Sequence, residues 1–416
     1  MSTPVDSEVT LHLRRHVPAV VSGAERGWRF FDGPSGTQMI DGCIDAMRDY
    51  LLAGVANRRE AAPTGDLTEE IIAQARADVQ LLLNGTGYRV VFGQNMTSLA
   101  FALAHAAARQ RARSGSAIVL SELEHFGNVD PWRQAFAERG VPATWLPVDP
   151  GTLRLSADVL DLPVWSGPVD LVAITLASNA IGTVPDVAKI AEVAHQAGAL
   201  VAVDGVHAVP HQVVDLAELG ADLFFCSAYK FYGPHIGIAL IKEELAESLV
   251  PYKLAPAPAS GPDKFETGSQ NHEAIAGLVG TFTSLAHLAG EAGGTGGAGG
   301  TGAREAIGQL TQGQLRLADW IESELRGMPK VQLFRADGAS GERAPTIAFR
   351  VAGRHPAECA DLLRQRGLFI TYGDVYASAL AERLGVAADG GWARLGIAGY
   401  NLGEEAAALV EAIAAL

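Results

Sequence analysis

The stretch GALVAVDGVHAVPHQVVDLAELGADLFFCSAYKFYGP, residues 198–234, contains two apolar runs that each end in small or polar residues. The first run ends at Asp204, and the second leads through Ser227 into Lys230. Runs that are apolar throughout, without alternation, are typical of parallel strands covered on both faces. This stretch therefore predicts two strands of a buried sheet, with polar side chains at their carboxyl ends.

The same pattern recurs upstream of this stretch. Further apolar runs lie at 88–93, 116–125, 143–149 and 169–178. The segment 186–198 has helical period and ends in glycine, as a helix C-terminus often does. Because strands alternate with helices, we expect a right-handed α/β sheet in the first part of the chain.

The character of the sequence changes near residue 290. GEAGGTGGAGGTGA, residues 290–303, is glycine-rich and predicts a loop or linker. Beyond it, helix-like and strand-like segments alternate on a smaller scale. The predicted organisation is an N-terminal segment packing with the small domain (1–30), a large domain (31–289), the linker (290–303) and a small α+β domain (304–416).

Composition narrows the function classes. The chain has 416 residues, 48% of them hydrophobic, and a net charge of -15, which disfavours nucleic acid and anionic membranes as partners. The three cysteines are far apart, without metal-ligand or disulfide-framework spacing, so we expect a reducing compartment and no metal. Without a signal-peptide pattern or a membrane-length apolar run, the expected location is cytoplasmic.

Polar residues gather where the predicted strands end. In an open parallel sheet, ligands bind beyond the carboxyl ends of the strands, so this edge predicts a cofactor site. The residues concerned are Asn95, Thr97, His125, Asn179, Asp204, His207, Ser227 and Lys230.

Two of these residues each have a structural and a catalytic interpretation. Lys230 is either a structural or solvated lysine, or a partly desolvated amine that forms a Schiff base with a carbonyl. Asp204 is either a turn or helix-cap residue, or the partner of a protonated pyridine nitrogen.

Two further features allow a weaker interpretation. The segment GQNMTS, residues 93–98, opens a helix whose N–H groups and Thr97 hydroxyl could hold a phosphate, although many helices begin this way. His125 could stack on a planar ring or only cap a turn.

Together, these stretches resemble the class V aminotransferase family, in its cysteine desulfurase-like branch. The resemblance runs from FFDGPSGTQ (30–38) to the C-terminus and is carried by VVFGQNMTSLAF, ELEHFGNVDPW, SNAIGTVPDV, AVDGVHAVPHQ, LFFCSAYKFYGPHIGI and FETGSQNHEAIAGL. It implies pyridoxal 5'-phosphate as cofactor. It also implies an aspartate aminotransferase-like fold, with a mainly parallel seven-stranded sheet and a smaller α+β domain.

The resemblance implies a role for each matching residue. Lys230 would bind the cofactor as a Schiff base, Asp204 would pair its pyridine nitrogen, and His125 would stack on its ring. His207 would lie near the phenolic oxygen, where relatives often carry Gln, and Asn179 would face cofactor and substrate. Phosphate contacts would come from Asn95, Met96, Thr97 and Ser227.

Two implied roles extend beyond the cofactor. Arg394 would bind the α-carboxylate of a small amino-acid substrate with its planar fork. Ser269 would reach the phosphate of a neighbouring subunit, which predicts a homodimer with shared active sites.

The sequence departs from the desulfurase pattern at three positions. Tyr376, in ITYGDVYA (370–377), stands where desulfurases carry a mobile cysteine, and Thr371 where they carry an additional arginine. Tyr229 replaces a frequent histidine. A tyrosine cannot accept sulfur as a persulfide, so the persulfide mechanism is not expected.

Our leading hypothesis from sequence is a C–S lyase that cleaves an S-substituted cysteine by β-elimination, with Tyr229, Tyr372 or Tyr376 as an acid or a substrate wall. One alternative is decarboxylation-coupled oxidative deamination or transamination of an S-conjugated amino acid. Cysteine desulfuration and a catalytically silent scaffold are the remaining hypotheses.

Overall fold

A computed structural model describes residues 3–338 and 342–416. Its helices are α1 (Glu8–Arg15), α2 (Pro18–Glu25), α3 (Asp41–Ala53), α4 (Pro63–Leu83), α5 (Met96–Arg111), α6 (Asp130–Ala137), α7 (Val187–Gln196), α8 (Leu216–Leu219), α9 (Glu243–Ser248), α10 (His272–Glu291), α11 (Gly299–Arg326), α12 (Pro356–Arg364), α13 (Ser378–Arg383) and α14 (Gly403–Ala414). Its strands are β1 (Arg29–Phe30), β2 (Tyr88–Gly93), β3 (Ala117–Ser121), β4 (Ala143–Leu146), β5 (Val148–Asp149), β6 (Arg154–Leu155), β7 (Val169–Thr175), β8 (Leu200–Asp204), β9 (Leu223–Ser227), β10 (Gly237–Lys242), β11 (Val331–Phe334), β12 (Thr346–Val351), β13 (Leu368–Phe369), β14 (Thr371–Gly373) and β15 (Trp392–Gly396).

The large sheet has seven strands in the order β2-β10-β9-β8-β7-β3-β4. The strands from β9 to β4 pair in parallel, whereas β10 is antiparallel to both of its neighbours. The predicted α/β class with a mainly parallel seven-stranded sheet is confirmed. The antiparallel strand β10 is the element of this sheet that sequence interpretation missed.

The reversal at β10 follows from the length of the connection before it. A parallel return needs a crossover of about a dozen residues or more, but only residues 228–236 separate β9 from β10. The chain must therefore turn back beside β9. Lys230 lies inside this short connection, so both strands limit where its side chain can lie.

Helices cover the large sheet on both faces. In β2, Val90 and Phe92 belong to one core cluster, while Val91 belongs to another. In β7, Ile174 and Ala173 are likewise divided between the two clusters. Because successive side chains point to opposite faces, a strand buried on both sides must be apolar at every position. This is the physical origin of the continuous apolar runs.

A second sheet is formed by the C-terminal part of the chain. Its strands are antiparallel and lie in the order β11-β12-β15-β14. The N-terminal segment joins this region, since β1 pairs with β13 and Arg14 forms an ion pair with Glu405 of α14 at 2.7 Å. α1 also contacts α10 and α11.

The glycine-rich segment is shorter as a loop than the sequence predicts. Residues 290–291 end α10 and residues 299–303 begin α11, so the prediction of a loop over 290–303 is wrong for both ranges. Packing overrides the low helix propensity of glycine here, because a Cβ on Gly300 would lie 1.9 Å from the carbonyl oxygen of Asp78. The Gly300 N–H also donates to Asp78 Oδ1 at 2.9 Å.

No helix in the described part of the chain has both the length and the apolar character that a membrane crossing requires.

Candidate active site

The carboxyl ends of β7, β8 and β9 and the start of α5 meet at one edge of the large sheet, beside a cavity of about 410 Å³. The cavity is also lined by residues of β14, β15 and the 375–376 turn, so both sheets contribute to it. Among the predicted site residues, those lining it are Asn95, Met96, Thr97, His125, Asn179, Asp204, His207, Ser227, Tyr229, Lys230, Tyr372, Tyr376 and Arg394.

Lys230 ends the short 3-10 helix Ala228–Lys230 that follows β9. Its side chain is buried, and its Nζ donates to the carbonyl oxygen of Pro34. The pKa of Lys230 is lowered to about 7, mainly by burial and also by the charge of Arg394, while the charge of Asp204 opposes both effects. Near neutral pH, a large share of this amine is therefore uncharged and nucleophilic.

Asp204 is the last residue of β8 and is buried. Its Oδ1 accepts a hydrogen bond from the Val206 N–H at 2.9 Å. Burial raises the pKa of Asp204 to about 6, against the N–H of Val206 and the charge of Lys230. A cationic pyridine nitrogen nearby would favour the ionised form.

His125 both caps a turn and lines the cavity. Its Nδ1 accepts a hydrogen bond from the Gly127 N–H at 2.9 Å. Burial lowers the pKa of His125 to about 4, and the charges of Lys230 and Arg394 act in the same direction. Because the ring is neutral and Nδ1 is an acceptor, the proton of His125 is on Nε2.

The N-terminus of α5 forms one end of the cavity. Asn95 is its N-cap, with Oδ1 accepting the Ser98 N–H at 2.8 Å, and Ser98 completes a capping box. The side-chain oxygen of Asn95 acts as the cap, and an anion here would meet the backbone N–H groups of Met96 and Thr97 at the start of the helix. The predicted contact of Asn95 with a phosphate remains a prediction.

Two buried polar atoms beside the cavity have no partner among the described residues. They are Asn179 Oδ1 and His207 Nδ1. The other polar atoms of these side chains are bonded, since Asn179 Nδ2 donates to the Val375 carbonyl at 2.9 Å and His207 Nε2 lies 2.8 Å from Thr346 Oγ1. Buried polar atoms without hydrogen-bond partners cost free energy, which indicates that a bound ligand supplies the missing partners.

Arg394 enters the cavity from β15 of the small sheet and is buried. Its Nη1 donates to the Asn179 carbonyl at 2.8 Å, its Nη2 to Ser35 Oγ at 2.8 Å, and its Nε to Thr371 Oγ1 at 3.0 Å. Burial lowers the pKa of Arg394 to about 10, so it stays charged at neutral pH. Three of its five N–H groups are used, which leaves two for an anionic ligand within the described part of the chain.

The mouth of the cavity is aromatic. Tyr372 and Tyr376 are 54% and 70% exposed, and the Tyr376 ring lies 5.2 Å from that of His125. Val375 and Tyr376 have φ of 49° and 61°, a left-handed conformation that is rare for such residues. Hydrogen bonds from the Phe126 N–H to the Tyr376 carbonyl and from Ser378 Oγ to Asp374 hold this turn.

Tyr229 forms a side wall. Its ring is stacked on His235 with centroids 4.7 Å apart, and Lys230 Nζ lies 4.9 Å from its centroid. Burial raises the pKa of Tyr229, which keeps its phenol protonated.

Ser269 lies apart from the other predicted residues. It is exposed, its hydroxyl donates to Asn57 Oδ1 at 3.3 Å, and it does not line the cavity within one chain. Its predicted contact with a neighbouring subunit remains a prediction.

Sequence interpretation missed Ser35 and Thr346. Neither follows a predicted strand of the large sheet, and their bonds to Arg394 and His207 form only across the fold. From sequence alone, the segment FFDGPSG around Ser35 marks the beginning of the family resemblance and indicates no role for the serine.

The residues present fit pyridoxal 5'-phosphate. A helix N-terminus suits its phosphate, Asp204 its ring nitrogen, the uncharged amine of Lys230 its aldehyde, and the unpaired Nδ1 of His207 its phenolic oxygen. The fold and the site together define a pyridoxal phosphate enzyme of fold type I.

Comparison with known proteins agrees with this class. The family Aminotransferase class-V matches residues 29–409. The chain is 28% identical over 397 residues to a cysteine desulfurase of Klebsiella pneumoniae, covering 92% of this chain and 91% of that protein. It is also 28% identical to a probable cysteine desulfurase of Mycobacterium leprae, of whose length it spans 61%.

Solved structures show the same fold. The cysteine desulfurase of Thermococcus onnurineus superimposes with a TM-score of 0.86 at 21% identity, covering 100% of this chain and 99% of that one. That of Escherichia coli gives 0.80 at 25% identity, with 97% of both chains covered. The chain belongs to the class V aminotransferase family, is similar to cysteine desulfurases, and is a pyridoxal phosphate-dependent enzyme.

Proposed function

We propose that this enzyme cleaves the C–S bond of an S-substituted cysteine by β-elimination. The observation that carries the proposal is the state of the cysteines. All three lie in the described part of the chain, all are buried, and none lines the cavity. Burial also raises the pKa of Cys43 to about 11 and that of Cys226 still higher. A persulfide mechanism needs an accessible thiolate, whereas elimination of a thiol needs no acceptor.

The cofactor, when bound, acts as an electron sink for the bonds at the substrate α-carbon. Lys230 would carry it and then, as a free amine, remove the α-proton. Its lowered pKa suits this exchange near neutral pH. Asp204 would stabilise the positive pyridine nitrogen.

The substrate α-carboxylate would bind the two remaining N–H groups of Arg394. Ser35 and Thr371 orient this guanidinium, which suits bidentate recognition of a planar carboxylate. The S-substituent would then lie at the mouth, against Tyr372 and Tyr376. We assign these tyrosines to the substrate wall, because a thiolate is a good leaving group without an acid.

The reaction balances without an external oxidant or reductant. Lys230 takes the α-proton, the C–S bond breaks, and the sulfur leaves with the bonding pair and gains a proton. The three-carbon product then takes up one water and gives pyruvate and ammonium.

We further propose that the enzyme is a homodimer in which Ser269 serves the site of the partner subunit. The exposed position of Ser269, outside its own cavity, supports this arrangement.

The test is a product analysis with purified holoenzyme. S-substituted cysteines should give pyruvate, ammonium and the matching thiol in equal amounts, and Lys230→Ala should give none. Alanine and sulfide from free cysteine would contradict the proposal in favour of desulfuration. Carbon dioxide or a keto acid that keeps the sulfur would favour the oxidative or transamination alternatives.

A further inference from the structure

A hydrogen bond joins the two sheets beside the cavity. His207 follows β8 of the large sheet, and Thr346 begins β12 of the small sheet. The imidazole Nε2 lies 2.8 Å from Thr346 Oγ1, and the side chains are 3% and 0% exposed. Because both groups are buried, the direction of this bond determines which His207 nitrogen carries the proton.

The hydroxyl of Thr346 has no other hydrogen-bond partner within residues 3–338 and 342–416. If it accepted from Nε2, its own hydrogen would be buried without an acceptor, which is costly. With the Thr346 hydroxyl donating to Nε2, only Nδ1 is left without a partner among the described residues, whereas the reverse direction would leave both Nδ1 and the hydroxyl hydrogen unpaired. A neutral imidazole has a single N–H, so that N–H is on Nδ1.

The imidazole is neutral. Burial lowers its pKa well below the ordinary value, and His211, Lys230 and Arg394 act in the same direction. His211 packs edge-on against His207, with ring centroids 5.0 Å apart, and its Nδ1 lies 2.8 Å from Gln314 Oε1.

The position of Thr346 is fixed by its backbone. Its N–H donates to the Ala344 carbonyl at 2.8 Å, and its own carbonyl accepts from Arg335 Nη1 at 2.8 Å. Arg335 is held in turn by Glu322 at 2.6 Å. Thr346 also pairs with Gly396, two residues beyond Arg394 on β15, so its hydroxyl has little freedom to leave His207.

We propose that Thr346 is a positioning residue that holds His207 as the Nδ1–H tautomer, so that His207 presents an N–H donor to an anionic oxygen of the cofactor ring. The Nδ1 atom is buried, lacks a partner among the described residues and belongs to a ring that lines the cavity. This proposal rests on the cofactor assignment and not on C–S cleavage, so its tests are spectroscopic.

The first test measures the tautomer directly. In holoenzyme labelled with ¹⁵N-histidine, the two ring nitrogens of a neutral imidazole have widely separated chemical shifts. Loss of a signal pair in His207→Gln identifies His207. A protonated Nδ1 is the expected result, and a protonated Nε2 overturns the proposal even if no Thr346 variant folds.

The second test removes the hydroxyl with Thr346→Val and keeps it with Thr346→Ser. A donor at the phenolic oxygen stabilises its ionised form, so weakening the donor should raise the pH midpoint of the visible cofactor band. We expect a rise of about 0.5 to 1 pH unit in Thr346→Val, the size of one neutral hydrogen bond. Thr346→Ser should titrate like the unmodified enzyme.

A double-variant comparison separates this effect from general disturbance. His207→Gln keeps an N–H donor that does not depend on a tautomer. In that background, Thr346→Val should leave the midpoint unchanged. An equal shift in both backgrounds, or no shift in either, overturns the proposal.

Discussion

The amine of Lys230 is buried near one positive and one negative side chain, Arg394 and Asp204. Burial lowers the pKa of the amine, and the charge of Arg394 acts in the same direction. The same arginine is also the proposed carboxylate ligand, so one side chain would both bind the substrate and adjust the nucleophile.

Covalent uptake of pyridoxal 5'-phosphate by cofactor-free protein should therefore depend on pH. Only the neutral amine attacks the aldehyde, and the folded pKa is lowered to about 7. The uptake rate should rise with pH through about 7 and level off above it. Arg394→Gln removes a nearby positive charge and should move the midpoint upward. Stopped-flow absorbance measures the uptake rate against pH for the unmodified protein and for Arg394→Gln. A midpoint near 10.5 in the unmodified protein would contradict the lowered pKa of Lys230.

The carboxylate role of Arg394 is tested by binding rather than turnover. An S-substituted cysteine and its carboxamide differ only at the carboxylate, and the visible band reports the binding of either. The holoenzyme should bind the S-substituted cysteine more tightly than its carboxamide. Arg394→Lys keeps the charge but loses the fork, and should weaken binding of the acid by about 10- to 100-fold. Ser35→Ala should weaken binding of the acid by a smaller factor. If Arg394→Lys weakened binding of the acid and of the carboxamide equally, Arg394 would not be the carboxylate ligand.

At the scale of elements, two short connections determine the site. The 228–236 segment is too short for a crossover, so β10 runs antiparallel and Lys230 is confined between two strands. The 374–376 turn holds two left-handed residues and directs Tyr376 toward His125. Both depend on contacts made by distant parts of the chain.

Helix α11 offers a matched pair of glycines. A Cβ on Gly300 would meet the Asp78 backbone at 1.9 Å, whereas one on Gly313 would have its closest neighbour at 3.4 Å. Gly300→Ala should lower the free energy of unfolding by about 1–3 kcal/mol through overpacking. Gly313→Ala should raise it by up to about 1 kcal/mol through helix propensity. Urea denaturation compares the two, and a stabilised Gly300→Ala would show that the close approach is not required.

At the scale of the whole molecule, the site requires both sheets. Arg394 and Thr346 come from the small sheet and contact Asn179 and His207 at the edge of the large one. The proposed homodimer would add Ser269 from a second chain.

Hybrid dimers test whether Ser269 contributes to the site of the partner subunit. Lys230→Ala and Ser269→Ala chains should each bind the cofactor poorly as homodimers. If Ser269 acts on the partner's site, a hybrid of the two contains one site with both native residues, so the purified hybrid should recover up to half of the native binding. The control replaces Ser269→Ala with Ser22→Ala, at a partly exposed serine on α2. No recovery in the hybrid would place Ser269 in its own subunit's site.

The sequence by itself determined the sheet, the strand ends and most of the candidate site. Strands buried on both faces must be apolar throughout, and a parallel sheet brings its carboxyl ends to one edge, so Asp204, Ser227 and Lys230 were predictable from local pattern. Only the tertiary structure decided the direction of β10, the helical start of α11 and the contacts of Ser35 and Thr346. These depend on packing between segments far apart in the chain, where a carbonyl group, a buried hydroxyl or a short connection overrides what each segment would favour alone.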